Sequence, residues 1–268
     1  MKYKLGIIGV GKMGGSILSG ILKSKIYLGN QILLYDVNQE TINYWKEKGL
    51  YFSNNVKELV ESVEMVLVAI KPQMFERLKE YRYDNPELVV ISIAAGKTID
   101  DLKEIFGDKL FIRVMPNTPA LINAGATAIS RSENISDEIF EKVKRIFSSI
   151  GCVEEIKDNQ MNEIIPVNGS MPAFLYYFAK AFIDDAVNRG IDKDVAKTLA
   201  SNAIIGSAKM ILESDKSIEQ LIIDVCSPGG ATLKGLEIFD KYDLNKIIKE
   251  TGDATINRAY ELSKVKHF

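Results

Sequence analysis

The feature that most constrains the fold is a pair of continuous apolar runs rich in β-branched residues. They cover residues 65–69 (MVLVA) and residues 88–93 (LVVISI). Neither run alternates polar with apolar side chains, so a strand built from it would have no face in water. Such strands are typical of parallel sheets that are covered by helices on both faces. The two runs therefore predict an α/β domain.

The rest of the first part of the chain supports this prediction, because short apolar runs alternate there with helical stretches. Further strands are predicted at residues 4–8, 32–35, 111–115 and 126–130, and helices at residues 13–23 and 38–48. Strands that alternate with helices in this way indicate a doubly wound parallel sheet.

The character of the sequence changes near residue 160, after which no further strand is predicted. The sequence there favours long helices, at residues 172–188, 192–214 and 244–262. We therefore predict two domains, residues 1–160 and an all-α domain of residues 161–268. Residues 172–188 are apolar on almost every face, as in helices that lie in a core or a subunit interface, so we expect at least a homodimer.

Composition argues against several classes of function. The net charge of −2 gives no electrostatic footprint for nucleic acid, and no apolar run is long enough to span a membrane. Cys152 and Cys226 are too far apart for a metal or redox motif and are expected to be free thiols of a cytoplasmic protein. The only histidine is the penultimate residue, His267, so we predict neither histidine-based catalysis nor a metal site.

A glycine-rich loop directly follows the first predicted strand and opens the first predicted helix. Its pattern, GxGxxG, places Lys12 and Met13 between Gly11 and Gly14, with Gly9 at its start. In a dinucleotide-binding loop the first glycine allows a tight turn, the second lets the backbone approach a pyrophosphate, and the third allows close packing of helix on strand. The amides at the start of the helix then bind the phosphates.

Asp36 ends the second predicted strand, 22 residues after Gly14. A carboxylate at this position can accept hydrogen bonds from the adenosine ribose and repels the additional phosphate of NADP. Residues 37–39 contain no arginine that could receive that phosphate. Asp36 therefore favours NADH over NADPH, although both remain candidate cofactors. The alternative is that Asp36 merely caps the following helix.

Lys71 and Pro72 follow the strand predicted at residues 65–69. This position is the carboxyl edge of the sheet, where open α/β sheets bind ligands. Proline fixes a turn there, and Lys71 faces either a phosphate or solvent. The residues alone leave both possibilities open.

A second turn with chemical potential is Pro228-Gly229-Gly230-Ala231-Thr232, at the predicted start of a helix. Its backbone N–H groups can point in one direction, which suits a carboxylate. The hydroxyl of Thr232 can both donate to and accept from a ring nitrogen. The alternative is that Thr232 only caps the helix.

Three segments make this sequence more similar to one particular family than to dinucleotide-binding proteins in general. Residues 68–73 (VAIKPQ), 113–119 (RVMPNTP) and 224–232 (DVCSPGGAT) resemble the signature segments of the pyrroline-5-carboxylate reductases, and they run over nearly the whole chain. The resemblance implies a Rossmann dinucleotide-binding domain followed by a helical dimerisation and substrate domain. It also implies reduction of 1-pyrroline-5-carboxylate to L-proline by NADH or NADPH, and dimers that can assemble into a decamer.

The resemblance also implies particular site residues. The nicotinamide would lie near Ala94 and Asn117, and the cofactor would also contact Ala69, Lys71 and Pro72. The substrate would lie against Ser227 and residues 229–232, that is Gly229, Gly230, Ala231 and Thr232, with Thr232 as the catalytic hydroxyl.

One segment departs from the family pattern and keeps two other functions open. The family's Ser-Gly-Ser-Gly-Pro-Ala-Tyr is replaced by a run with Asn168, Met171 and Phe174 at the changed positions. One alternative is a reductase of a related imine or carbonyl, in the manner of β-hydroxyacid dehydrogenases, although Lys180 lies too far along its helix to be their lysine acid. The other is a dinucleotide-binding regulatory paralogue without catalysis.

Overall fold

The computed structural model describes residues 3–264, with side chains described as far as residue 261. His267, on which the prediction about histidine chemistry depends, lies outside the described residues. The chain forms two compact units. The first runs to Pro172 and resumes at Thr255, and the second covers Ala173–Ala254. The division into functional domains of residues 1–160 and 161–268 stays a prediction.

The first unit is built on an eight-stranded sheet of order β3-β2-β1-β4-β5-β6-β7-β8. The strands are β1 (Tyr3–Ile8), β2 (Ile32–Tyr35), β3 (Tyr51–Phe52), β4 (Val63–Val68), β5 (Val89–Ser92), β6 (Leu110–Pro116), β7 (Gly125–Arg131) and β8 (Gly151–Glu155). All neighbouring pairs are parallel except β6 and β7, which are antiparallel. The doubly wound, mainly parallel sheet is thus confirmed.

Helices cover both faces of this sheet. They are α1 (Lys12–Lys23), α2 (Gln39–Glu47), α3 (Val56–Ser62), α4 (Ile99–Phe106) and α5 (Asp137–Ser148), together with a 3-10 helix, Pro72–Glu80. Successive side chains of a strand point to opposite faces, so Ile7 joins the core cluster that contains Ile17 of α1, and Ile8 joins the cluster that contains Leu59 of α3. The central strands are therefore buried on both faces, as their apolar runs predict.

After β8, the described residues contain no further strand. Five α-helices follow, namely α6 (Met171–Asn188), α7 (Lys193–Glu213), α8 (Ile218–Val225), α9 (Ala231–Lys241) and α10 (Leu244–Lys264). This confirms the all-α second part of the chain. The first residues of α6 and the last residues of α10 belong to the first unit, where Tyr260 donates a hydrogen bond to Glu163 over 2.8 Å.

The second unit exposes most of its apolar side chains in the isolated chain. Among the described residues 173–254, Ala196 alone is buried. On α6, the neighbouring Tyr176 and Tyr177 are 65% and 79% exposed. Apolar surface on this scale is typical of subunit interfaces. In the described residues no helix combines the length and the hydropathy that are needed to cross a bilayer.

Candidate active site

The glycine loop joins β1 to α1, and each of its three glycines meets a different constraint. Gly9 has φ +90°, in the left-handed region, and a Cβ there would lie 2.8 Å from the carbonyl oxygen of Ala69. A Cβ on Gly14 would overlap the carbonyl oxygen of Gly9. A Cβ on Gly11 would meet nothing within 4 Å, so Gly11 borders open space. The loop therefore packs closely at Gly9 and Gly14 and has free space at Gly11.

Gly11 also lines a cavity of about 820 Å³ at the carboxyl ends of β1, β2 and β4. We call it the cofactor cavity. Seven of the predicted cofactor residues line it, namely Gly9, Gly11, Lys12, Met13, Asp36, Ala69 and Lys71. Predicted cofactor residues outside its lining are Gly14, Pro72, Ala94 and Asn117. The site fits a nicotinamide dinucleotide in three respects. Gly11 has free space beside it, the amides at the start of α1 have no side-chain cap, and the cavity has a suitable volume.

Asp36 has a structural role in this cavity that the sequence does not reveal. Its Oδ2 accepts a hydrogen bond from the amide of Val10 over 2.8 Å, and its Oδ1 accepts one from the amide of Asn38 over 2.9 Å. The carboxylate therefore fastens the glycine loop to the end of β2. The interpretation of Asp36 as the cap of α2 is wrong, because Asn38 caps that helix by accepting from the amide of Thr41. Each Asp36 oxygen keeps a lone pair for ligand hydroxyls.

Arg77 is a cavity residue that sequence reasoning missed. Residues 37–39 indeed contain no arginine, but the 3-10 helix Pro72–Glu80 brings Arg77 to the same cavity as Asp36. A 3-10 helix has three residues per turn, so Met74, Arg77 and Glu80 share one face. All three line the cofactor cavity. The spacing of Met74, Arg77 and Glu80 is visible in the sequence. It places them on one face only if the segment is known to form a 3-10 helix, which has three residues per turn.

The predicted nicotinamide segment is held mainly by amide side chains. Asn117 accepts from the amide of Ala126 over 2.9 Å and donates to the carbonyl of Asn168 over 3.4 Å. Asn168 is buried, and its Nδ2 donates to the carbonyl of Met115 over 2.7 Å. The side chain of Asn117 thus supports β7 and the segment before α6. Asn168, one of the departures from the family pattern, fixes the carboxyl end of β6.

Arg113 lies on the same strand but forms a structural contact. Its guanidinium pairs with Oδ1 of Asp158 over 2.8 Å, and the hydroxyl of Ser130 donates to the same oxygen over 3.0 Å. Arg113 is 6% exposed, so its guanidinium is buried, whereas the side chain of Asp158 is 35% exposed. Arg113 therefore forms a structural ion pair.

In the second unit, Ser227 to Gly230 form a tight turn before α9. The amide of Gly230 donates to the carbonyl of Ser227 over 2.8 Å, with Pro228 and Gly229 at the centre of the turn. Gly229 has φ +70°, as the third residue of a type II turn requires. Gly230 has φ −71°, which any residue adopts. The special glycine conformation therefore belongs to Gly229, whereas Gly230 is needed because a Cβ would collide with the side chain of Ser227.

This turn leaves the start of α9 without a side-chain cap. Gly230 is the N-cap residue, so Ala231 and Thr232 are the first two helical residues. The interpretation of Thr232 as the helix cap is therefore wrong. The amides of the first helical turn lack intrahelical partners, and Thr232, an exposed residue, belongs to that turn. Uncapped amides and a hydroxyl can together bind an anion and a polar group next to it.

Two charged residues of the second unit, Asp224 and Lys180, have shifted pKa values because each forms hydrogen bonds to neighbouring side chains. Asp224, on the last turn of α8, accepts from Lys216 over 2.6 Å and from Gln220 over 2.9 Å. The hydrogen bond from Lys216 is the main cause that lowers the pKa of Asp224, and the bond from Gln220 adds to it. Lys180 on α6 donates to Asp184, and this bond raises the pKa of Lys180. A raised pKa makes Lys180 a poorer general acid, which disfavours a β-hydroxyacid dehydrogenase mechanism.

A glycine loop, an acidic residue at the end of β2 and a helical second unit define a dinucleotide-dependent oxidoreductase. Residues 4–96 match the family model described as NADP oxidoreductase, coenzyme F420-dependent. Residues 158–262 match the model for pyrroline-5-carboxylate reductase dimerisation. The chain is 33% identical over 268 residues to a pyrroline-5-carboxylate reductase of Escherichia coli, covering 98% of this chain and 100% of that protein. The chain belongs to the pyrroline-5-carboxylate reductase family.

Other relatives agree in sequence and in fold. A pyrroline-5-carboxylate reductase of Pisum sativum is 32% identical over 263 residues, covering 97% of this chain and 96% of the relative. The solved structure of the Coxiella burnetii reductase superposes with a TM-score of 0.89 at 28% identity, covering 99% of this chain and 100% of the other. The Plasmodium falciparum reductase, solved with NADP bound, gives a TM-score of 0.85 at 28% identity, covering 98% of this chain and 100% of the other.

Proposed function

We propose that this chain reduces 1-pyrroline-5-carboxylate to L-proline, the last step of proline biosynthesis. The observation that carries the proposal is the uncapped start of α9, in a chain whose cofactor cavity fits a dinucleotide and whose full-length relatives are reductases of that name. A bound nicotinamide dinucleotide supplies the hydride. The substrate, once protonated on its ring nitrogen, is already a good hydride acceptor, so the protein has mainly to bind and orient it.

We assign substrate binding to the turn before α9. The backbone amides of Ala231 and Thr232 bind the substrate carboxylate, because they lack intrahelical partners and the helix dipole favours an anion there. The hydroxyl of Ser227 and the backbone of Gly229 and Gly230 complete the substrate contacts. The hydroxyl of Thr232 forms a hydrogen bond with the ring nitrogen and keeps that nitrogen protonated, which makes Thr232 the catalytic residue.

We assign cofactor binding to the first unit. Gly9, Gly11, Lys12, Met13 and Gly14 form the pyrophosphate loop, and Asp36 accepts from the ribose hydroxyls. Ala69, Lys71 and Pro72 follow β4 at the carboxyl edge of the sheet, where a second phosphate contact is available. Ala94 and Asn117 follow β5 and β6 at that same edge, which supports their assignment to the nicotinamide half.

Cofactor choice follows from Asp36, and we expect the wild-type protein to prefer NADH to NADPH. A 2′-phosphate near this carboxylate would place like charges together, which costs on the order of 1.4 kcal/mol, or about tenfold in kcat/KM. The measurement is kcat/KM with each cofactor, for the wild type and for Asp36→Asn. The ratio of kcat/KM with NADH to kcat/KM with NADPH should be smaller in Asp36→Asn than in the wild type. Asp84→Asn, a substitution at an exposed ion pair with Arg82, is the control. A clear NADPH preference of the wild type would contradict this prediction.

The helical unit is the dimerisation domain of the family, and the protein is a homo-oligomer. We expect a homodimer at least, and we propose that dimers can assemble into a decamer. Light scattering should give a mass of at least twice the 29.9 kDa of one chain. Tyr177→Asp, on the exposed apolar face of α6, should shift the population towards monomers because it buries a charge, whereas Tyr51→Asp on β3 should not. A stable wild-type monomer at low micromolar concentration would reject the expectation.

We also propose a cytoplasmic location. Cys152 and Cys226 are both free thiols, which suits a reducing compartment.

A further inference from the structure

The 3-10 helix Pro72–Glu80 presents a cationic side chain to the cofactor cavity that none of the assigned contacts uses. Met74, Arg77 and Glu80 are spaced three residues apart, so they lie on one face of this helix. All three line the cavity that also contains Asp36 and the glycine loop. Arg77 therefore reaches the cavity from a different element than the loop after β2, where arginine is absent.

Arg77 has no ion-pair or hydrogen-bond partner among the described residues, unlike two of its neighbours. Lys79 pairs with Glu76 over 3.2 Å, and Arg82 pairs with Asp84 over 3.2 Å. An exposed guanidinium that faces a ligand cavity with its five donors unpaired can bind an anion without first breaking an ion pair. Its planar fork suits a phosphate, with two parallel hydrogen bonds.

The other charges of the cavity indicate which anion Arg77 binds. Its lining carries three cations, Lys12, Lys71 and Arg77, and two carboxylates, Asp36 and Glu80. Lys12 belongs to the pyrophosphate loop, and Lys71 follows β4. The carboxylate of Asp36 is held in place by two amides, so it cannot turn away from an additional phosphate. A 2′-phosphate is tolerated here if a free cation offsets Asp36.

We propose that Arg77 binds the 2′-phosphate of NADP(H), so that Asp36 and Arg77 together set cofactor choice. Asp36 makes NADH the better cofactor, and Arg77 keeps NADPH usable. The proposal rests on the proposed cofactor role of the cavity.

The test is a binding measurement without turnover. Isothermal titration calorimetry gives the Kd of ADP-ribose and of 2′-phospho-ADP-ribose, which differ only in the phosphate. Arg77→Ala should lower the relative affinity for the phosphorylated ligand about tenfold, the low end for a hydrogen bond to a charged group. Arg77→Lys should restore part of this, because it keeps the charge but loses the fork. Asp36→Asn should raise the relative affinity, and the control Arg82→Ala should leave it unchanged.

Three results would overturn the proposal. If Arg77→Ala leaves the relative affinity unchanged, Arg77 does not contact the 2′-phosphate. If Arg77→Ala weakens both ligands equally, Arg77 contacts a group that they share, such as the pyrophosphate or the adenine. If the wild type binds neither ligand, the cavity is not a dinucleotide site, and the proposed cofactor role fails together with the proposal. Arg77 is exposed, so its variants should fold, which a thermal melt verifies.

Discussion

Thr232→Val is expected to lower kcat/KM for pyrroline-5-carboxylate about 100-fold, the low end for removing a positioned proton-transfer group. Valine keeps the shape of threonine but removes the hydroxyl that holds the proton of the ring nitrogen. Because Thr232 is an exposed residue within α9 and Gly230 is the N-cap, the loss of the hydroxyl removes no cap. The melting temperature should therefore stay close to that of the wild type, and the effect should be chemical.

The matched control is Thr232→Ser, which keeps the hydroxyl and loses the methyl group. It should retain most of the activity that Thr232→Val loses. Affinity for ADP-ribose should be nearly the same in both variants, since the glycine loop belongs to the other unit. Wild-type kcat/KM in folded Thr232→Val would show that the substrate is protonated by solvent and that Thr232 has no part in it.

Gly11→Ala and Gly14→Ala are expected to fail in different ways, although the two residues share one loop. A Cβ at position 11 meets nothing within 4 Å, so Gly11→Ala should fold and melt like the wild type. Gly11 lines the cofactor cavity, so a methyl group there should hinder the close approach of the pyrophosphate to the backbone, and affinity for ADP-ribose should fall about tenfold or more. Calorimetric titration together with a thermal melt separates these two effects.

Gly14→Ala should instead destabilise the fold, because its Cβ would overlap the carbonyl oxygen of Gly9. Forcing a methyl group into a packed site costs about 1–3 kcal/mol, which should appear as a lower melting temperature. Binding should also fall, because Gly9 must move. The assignment of the loop would be contradicted if Gly11→Ala bound ADP-ribose as tightly as the wild type, or if Gly14→Ala melted unchanged.

The sequence predicts the core of the sheet well, because buried parallel strands have a distinctive pattern. The run at residues 32–35 matches β2 at both ends. Strand β8 was not predictable in the same way, because its sequence, GCVEE, buries one residue, Val153, and lacks an apolar run. The antiparallel direction of β7 was not predictable either, since a strand's own residues do not encode the direction of its neighbour.

The candidate site was predictable where local pattern decides and not where distant segments meet. The glycine loop and Asp36 follow from spacing, and both line the cofactor cavity. The hydrogen bond from the amide of Val10 to Asp36 joins residues that are 26 positions apart. The position of Arg77 beside the cavity depends on where a separate element, the 3-10 helix, lies. The double glycine before α9 was visible, but the backbone angles decide that Gly229 supplies the left-handed conformation.

The most direct test of the proposed function is turnover by the purified, full-length protein with 1-pyrroline-5-carboxylate and NADH, followed by absorbance and by chromatography of the product. We expect NADH oxidation that depends on the substrate and forms L-proline in equal amount, at a higher kcat/KM than for a cyclic imine without a carboxylate. Binding of ADP-ribose by a protein that forms no proline would contradict this function and identify a regulatory paralogue. Faster turnover of the imine without a carboxylate would contradict the assignment of the α9 amides.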